Sequence, residues 1–361
     1  MKTRGIIILS AALLVGVQNV SAKNPGPAPE AIYPVTPLVA VKGVESVYPS
    51  TAGDFMVFAQ RKGGDYFVLR TSKNSPASGS YKLKALTLID EMRYGVAVAD
   101  GSIGYVSNRM GPISAWMWQG RGDGHVSIGN MATYRGGMAP HHLNASSDGK
   151  VWCFDSTFQK LRYNQMLAEF ASPSHWELVG QQWRSYNSDN FRHKAGYKPT
   201  ETGQKNKFEP PVLFTFARKN SQMMMIPNAY NGAISPDGSK VAFVRETKGN
   251  YDIWMQNIEG GDLMQLTSSP FGDFEPSWSP DGKKLLFVSN RDTAGDVRKT
   301  SIYMLNLKNN QIKRLTNSAN ATDGGPAWLD NRSVAFHSNR DLQSPQANTG
   351  SNWNIWQLKL H

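Results

Sequence analysis

Cysteine is almost missing from this sequence: Cys153 stands alone among 361 residues. One thiol excludes an internal disulfide framework and any zinc centre built from cysteine pairs. Charge is sparse as well, at 19% of residues against 40% hydrophobic. That balance excludes a wholly disordered chain. Long apolar runs are missing too. The stretch Ile6–Val17 falls short of the roughly 20 residues that a spanning helix needs. The histidines show no His-x-x-x-His spacing, and no Gly-x-Ser-x-Gly stands anywhere in the chain. Neither a helical zinc-hydrolase motif nor a hydrolase nucleophile elbow is therefore present.

What is abundant is turn chemistry. Gly 33 and Pro 20 do not suit long helical bundles. The length suggests about two domains, but closed all-β architectures often exceed that prior as single units. Lys2 and Arg4 precede the apolar run, and Ser21-Ala22 offers small residues before Lys23. This order of charged, apolar and small residues predicts a secretory signal over 1–22 and a periplasmic protein without a transmembrane segment. An extension over 23–35 would follow. The formal net charge of +11 suits anionic surfaces, acidic polysaccharide or an acidic protein partner. Basic residues are scattered and no recognition motif accompanies them, which argues against nucleic acid. In an oxidising compartment a lone exposed thiol is a hazard, so Cys153 is expected in the core.

Repeats organise the remainder. Ile234-Ser-Pro-Asp-Gly-Ser-Lys-Val-Ala-Phe-Val244, Trp278-Ser-Pro-Asp-Gly-Lys-Lys-Leu-Leu-Phe-Val288 and Trp328-Leu-Asp-Asn-Arg-Ser-Val-Ala-Phe-His337 are alike. A second apolar run follows each, and Gln265-Leu-Thr267 and Arg314-Leu-Thr316 close the first two. Gly238 and Gly282 are 44 residues apart; Gly53, Gly101 and Gly149 are spaced by 48 and 48. Several short strands per unit of that length read as a propeller blade. The Asp-Gly pairs supply the tight turn between the first two strands. The apolar runs after them do not alternate, as expected of strands covered on both faces.

Ser279–Lys284 followed by Ser289-Asn-Arg-Asp292, with partial copies at Ser235–Lys240 and Ser338–Asp341, resembles the signature of the TolB-like family of β-propellers. The resemblance is strong over 228–361, fair over 44–155 and absent over roughly 156–210. It implies a fold rather than the identity of TolB, whose separate N-terminal α/β domain has no counterpart here. Within the family, the TolB propeller binds protein segments, and some members are metal-dependent lyases of pectate-type oligosaccharides.

The expected fold is all-β: a six-bladed propeller of four-stranded antiparallel blades spanning 36–361, with blades beginning near 44, 93, 141, 230, 274 and 325. Seven blades are the alternative, since Gly149 and Gly238 are 89 residues apart. An insertion at 156–210 within blade three is preferred because 184–208 is polar and offers no strand pair. Val212–Phe216 and Gln222–Ile226 then complete blade three. Thr36–Val41 supplies the strand missing from the last blade and closes the ring.

Residues just before each innermost strand line one mouth of the channel. Around the ring they are Glu45, Arg93, Tyr94, His141, His142, Tyr230, Asn231, Asp273, Glu275 and Asp323. A polar ring of both charge signs suits a small ligand or a peptide end. Arg61, Arg109, Arg245, Arg291 and Arg340 follow the second strands on the same face. Arg291 and Arg340 are candidate rim residues, and local pairing with Asp292 and Asp341 is the competing structural role. The insertion would add Trp176 and Trp183 to that rim, with His175 and His193 nearby. Eight Lys/Arg against three Asp/Glu over Arg184–Lys219 give it a basic character. No catalytic residue or metal ligand is assigned and no cofactor is expected. A divalent metal held by His141, His142, His175, His193 or His337 is the minority alternative. The functional expectation is a monomeric, exported, non-enzymatic module engaging a protein segment or envelope component at the channel mouth. The alternative is a metal-dependent lyase or binder of acidic oligosaccharides.

Overall fold

The structure, a computed structural model, describes residues 33–62, 65–76, 81–84, 95–107, 114–120, 124–128, 141–156, 211–217, 222–317, 321–345 and 349–361. The signal segment 1–22, Arg93, Tyr94, Arg109, and His175, His193, Trp176 and Trp183 of the insertion lie outside them. Among the described residues no helix is long and apolar enough to cross a membrane.

After β1 (Val35–Val39) come twenty-three strands in six antiparallel sheets. Blade one is β2 (Glu45–Ala52), β3 (Phe55–Lys62), β4 (Asp65–Ser72) and β5 (Tyr81–Lys84). Blade two is β6 (Val96–Ala97), β7 (Ile103–Ser107), β8 (Ser114–Trp118) and β9 (His125–Ser127). Blade three is β10 (His141–Ala145), β11 (Val151–Ser156), β12 (Val212–Ala217) and β13 (Gln222–Pro227). Blade four is β14 (Tyr230–Ile234), β15 (Lys240–Thr247), β16 (Asn250–Asn257) and β17 (Met264–Gln265). Blade five is β18 (Asp273–Trp278), β19 (Lys284–Ser289), β20 (Ser301–Asn306) and β21 (Gln311–Arg314). Blade six is β22 (Asp323–Trp328), β23 (Ser333–Arg340) and β24 (Thr349–Lys359), completed by β1. The ring closes as the sequence suggested, with Val35 opposite Leu358 and Val39 opposite Ile355. Chain ends joined in one blade leave β24 without an open edge. Blade three likewise pairs β11 with β12 across the inserted segment.

The repeat motifs explain themselves locally. In Ser279-Pro-Asp-Gly282 the Ser279 hydroxyl donates to Asp281 Oδ1 at 2.6 Å and accepts from the Lys284 N–H at 2.9 Å. The Gly282 N–H closes the turn on the Ser279 carbonyl at 2.8 Å, with Gly282 at φ +67°. Ser235 and Ser146 make the same contacts with Asp237 and Asp148. At the other end of the blades, the Thr267 and Thr316 hydroxyls accept the Ile253 and Ile302 N–H groups, both at 2.9 Å. Trp278 and Trp328 donate their indole N–H to Ala233 and Ser277 carbonyls on the preceding inner strand, at 2.9 and 3.2 Å. Turn, strand and blade–blade contacts thus use one short repeat.

The core lies between blades. Phe58, Tyr105, Cys153, Phe243, Phe287 and Phe336 occupy equivalent places and are all buried. Cys153 packs with Leu213, Ile226 and Phe243. Burial pushes its thiol up, which keeps it protonated and inert.

The candidate site at the channel mouth

Five of the six innermost strands open with the same irregularity; β6 alone pairs without it among the described residues. Pairing slips between Val47 and Ser50, His141 and Asn144, Tyr230 and Ala233, Phe274 and Ser277, and Gly324 and Ala327. At the second position of each slip one residue takes positive φ: Tyr48 +52°, His142 +46°, Asn231 +51°, Glu275 +53° and Gly325 +54°. A bulge spares one residue from the ladder and bends the strand. Here the spared residue lines the channel in all five blades. Four of the five are not glycine, although this conformation is costly with a side chain. Pro49, Pro276 and Pro326 follow three of the bulges, where the missing N–H costs no pairing.

The lining comes from all six blades and forms a cavity of about 100 Å³ that opens to solvent. Its charged groups are few. His142 donates through Nδ1 to Asp155 Oδ2 at 2.8 Å, and the same oxygen accepts the Asn231 N–H at 2.6 Å. Burial alone would lower the His142 pKa. Contact with Asp155, and more weakly Glu275, outweighs it and holds the imidazole above its ordinary value. Glu275 Oε2 accepts the Gly325 N–H at 2.6 Å. Its carboxyl is pushed up by burial, offset in part by that bond and by His142. Behind Gly325, His337 accepts the Tyr48 N–H on Nδ1 at 3.2 Å and packs edge-on against Tyr48 and Trp353. Burial lowers its pKa to about 3, so it stays neutral. Rings flank the opposite side: His142, Tyr230, Tyr251 and Phe274 follow one another at 6.3, 6.2 and 5.7 Å. Burial, with Tyr251 and Asp155 nearby, raises the Tyr230 pKa, so its hydroxyl stays protonated.

The expected ring therefore divides. His142, Asn231 and Glu275 meet in the cavity, with Tyr230 beside His142. His141 begins β10, and its side chain lies outside the description. Glu45 pairs with Arg61 at 3.6 Å, away from the lining. Asp273 and Asp323 are fully buried. Arg291 grips Asp273 with one nitrogen at 2.8 and 2.9 Å, and Arg340 grips Asp323 through two nitrogens at 3.0 and 2.5 Å. Their partners are thus the strand starts and not the neighbouring Asp292 and Asp341. Asp292 instead meets Arg314 at 2.9 Å and the Tyr303 hydroxyl. Arg340 is 1% exposed, so it is a bolt inside blade six rather than a rim residue. Among the described residues no group of three or more His, Cys, Asp or Glu could hold a metal ion.

Sequence reasoning passed over Tyr48, Asp155 and Gly325. The signal was the recurring X-Pro near the start of the inner strands, at Tyr48-Pro49, Glu275-Pro276 and Gly325-Pro326. Proline inside a sheet marks a bulge or an edge.

Fold and site together define a closed six-bladed propeller with a narrow, polar, aromatic-flanked channel mouth. Within that class the repeats are of the TolB type: the TolB beta propeller domain family matches residues 213–300. A stretch of 53 residues is 40% identical to an uncharacterized peptidase, YuxL, of Bacillus subtilis, covering 14% of this chain and 8% of that protein. A stretch of 146 residues is 29% identical to the protein TolB homolog of Chlorobium luteolum, covering 37% of this chain and 32% of the relative. The crystal structure of TolB from Acinetobacter baumannii superposes with a TM-score of 0.53 at 13% identity, over 85% of this chain and 64% of that one. The chain thus spans a minor part of the curated relatives it matches, and the structural likeness is one of fold.

Proposed function

We propose that this protein is an exported, non-enzymatic binding module whose channel mouth engages a protein segment of the cell envelope. The observation that carries this reading is the cavity itself. About 100 Å³ lined by all six inner strands is well below the roughly 300–1,000 Å³ of small-molecule sites. It suits the tip of one side chain or a chain end. An oligosaccharide stretched across several subsites would need far more room. Export is supported by the charged, apolar and small-residue order of 1–22. The relatives' names point to different activities and carry nothing between the alternatives.

The test is site-specific photo-cross-linking in the source cells, with p-benzoylphenylalanine at Tyr251, which is 39% exposed beside the channel rings. A discrete protein adduct, absent when the probe sits at Glu259 on an outer turn, is the expected result. Absence of any adduct at Tyr251, or release of unsaturated uronates from acidic glycans by the purified protein, overturns the proposal.

A further inference from the structure

The charge inventory of the mouth does not balance. Asp155 and Glu275 face at most one cation, the His142 imidazole, and Asp155 already holds it through Oδ2. His337 is neutral, with its Nδ1 already accepting a backbone N–H. Glu275 remains. One of its oxygens takes the Gly325 N–H; Oε1 has no hydrogen-bond partner among the described residues and belongs to a side chain that lines the cavity. Among the described residues no cation touches Glu275, whose burial His142 offsets only at longer range; a carboxylate so placed is costly. Two glycines leave the room around it. A Cβ on Gly324 would stand 2.7 Å from His337 Nε2 and 3.3 Å from Glu275 Oε2, and one on Gly325 would stand 2.5 Å from His337 Nδ1.

We propose that the channel mouth receives a single organic cation, the ammonium or guanidinium head of a side chain or an amino terminus, with Glu275 as its counter-ion. This rests on the binding-module reading and names the chemistry of what enters. At about 100 Å³ the cavity accommodates such a head but not an extended ligand. Tyr48 in the lining and Tyr230 beside His142 offer ring faces, which attract cations when water is excluded. A ligand anion would meet Glu275 unfavourably, and the imidazole that could hold it is already engaged. The chain as a whole is net +11, so cations are not gathered over its surface. A cation bound in the channel must be selected locally.

The experiment is an amide NMR titration of the full chain with n-butylammonium chloride, against n-butanol and sodium chloride at matched concentration. Saturable shifts at Tyr48, His142, Asn231 and Gly325 with butylammonium alone are expected. Glu275→Gln keeps an acceptor for the Gly325 N–H and should weaken binding at least tenfold. Glu259→Gln should leave it unchanged. Equal shifts with butanol, or equal binding by Glu275→Gln, overturn the proposal; the butanol comparison needs no variant to fold. The Tyr251 cross-link separates the two levels. If a protein is captured equally by wild type and Glu275→Gln and butylammonium does not bind, the cation inference falls and the binding module stands. If butylammonium binds through Glu275 and no protein is captured, the module reading falls and the site stands as a receptor for a free amine.

Discussion

Buried charge at single positions gives the sharpest expectations. Asp252 is 4% exposed and its Oδ1 has no partner, while Oδ2 is served by Asn250 and Gln265 at 3.1 and 3.2 Å. Burial, reinforced by Asp273, raises its pKa to about 6. A carboxyl whose folded pKa lies above its unfolded value favours the folded state when protonated. Its contribution is therefore lost as pH rises from about 4 to above 6. Asp252→Asn should raise stability at pH 7 by about 1 kcal/mol after allowance for solvent screening, and should flatten the decline between about pH 4 and 6 in urea titrations. A variant no more stable than wild type at pH 7 would show that water already serves Oδ1. Arg340 makes the opposite case. Arg340→Met strands Asp323 in the core and should cost about 3–5 kcal/mol. The double variant with Asp323→Asn should recover most of that loss in the same assay. These pairs were only half legible in the sequence. The recurring Ser-Asn-Arg marks the arginine, but its partner lies 17 or 18 residues upstream. Only strand pairing brings the two together.

Elements carry the repeat logic, and here the sequence was most informative. Asp-Gly turns, unbroken apolar strands and terminal Leu-Thr pairs each satisfy local hydrogen bonds. Local chemistry of that kind shows in residue order. The bulges were harder to see because they depend on register, which alternation cannot report when a strand is covered on both faces. Asp273 and Asp323 stand two residues before the bulge positions, and that offset separates a lining side chain from a buried bolt; Glu45 stands three before its bulge and meets Arg61 at the surface. The bulge yields its own test. Gly325 sits at φ +54°, and an added Cβ would meet His337 Nδ1 at 2.5 Å. Gly325→Ala should therefore destabilise the protein by about 2 kcal/mol or more, measured by thermal and urea unfolding. The exposed turn glycine Gly249, with nothing within 4 Å of such a Cβ, should cost less when changed to alanine, though its φ of +83° still exacts strain.

For the molecule as a whole, closure makes six similar sheets into one unit. β1 reaches blade six from the other end of the described chain, and the Tyr33 hydroxyl accepts from Lys313 Nζ in blade five. Removing residues 33–41 should lower the melting temperature and expose the edge of β24, promoting self-association visible by light scattering. Unchanged melting and a monodisperse sample would mean that the ring holds without its closing strand. Closure also sets the function proposed here, because a channel lined by every blade keeps its width only while the ring is shut. The most direct test is the butylammonium titration of wild type beside Glu275→Gln. Saturable shifts around the bulge residues, weakened at least tenfold by Glu275→Gln, are the result this account requires. Shifts that butanol reproduces, or that survive the loss of the carboxylate, would contradict it.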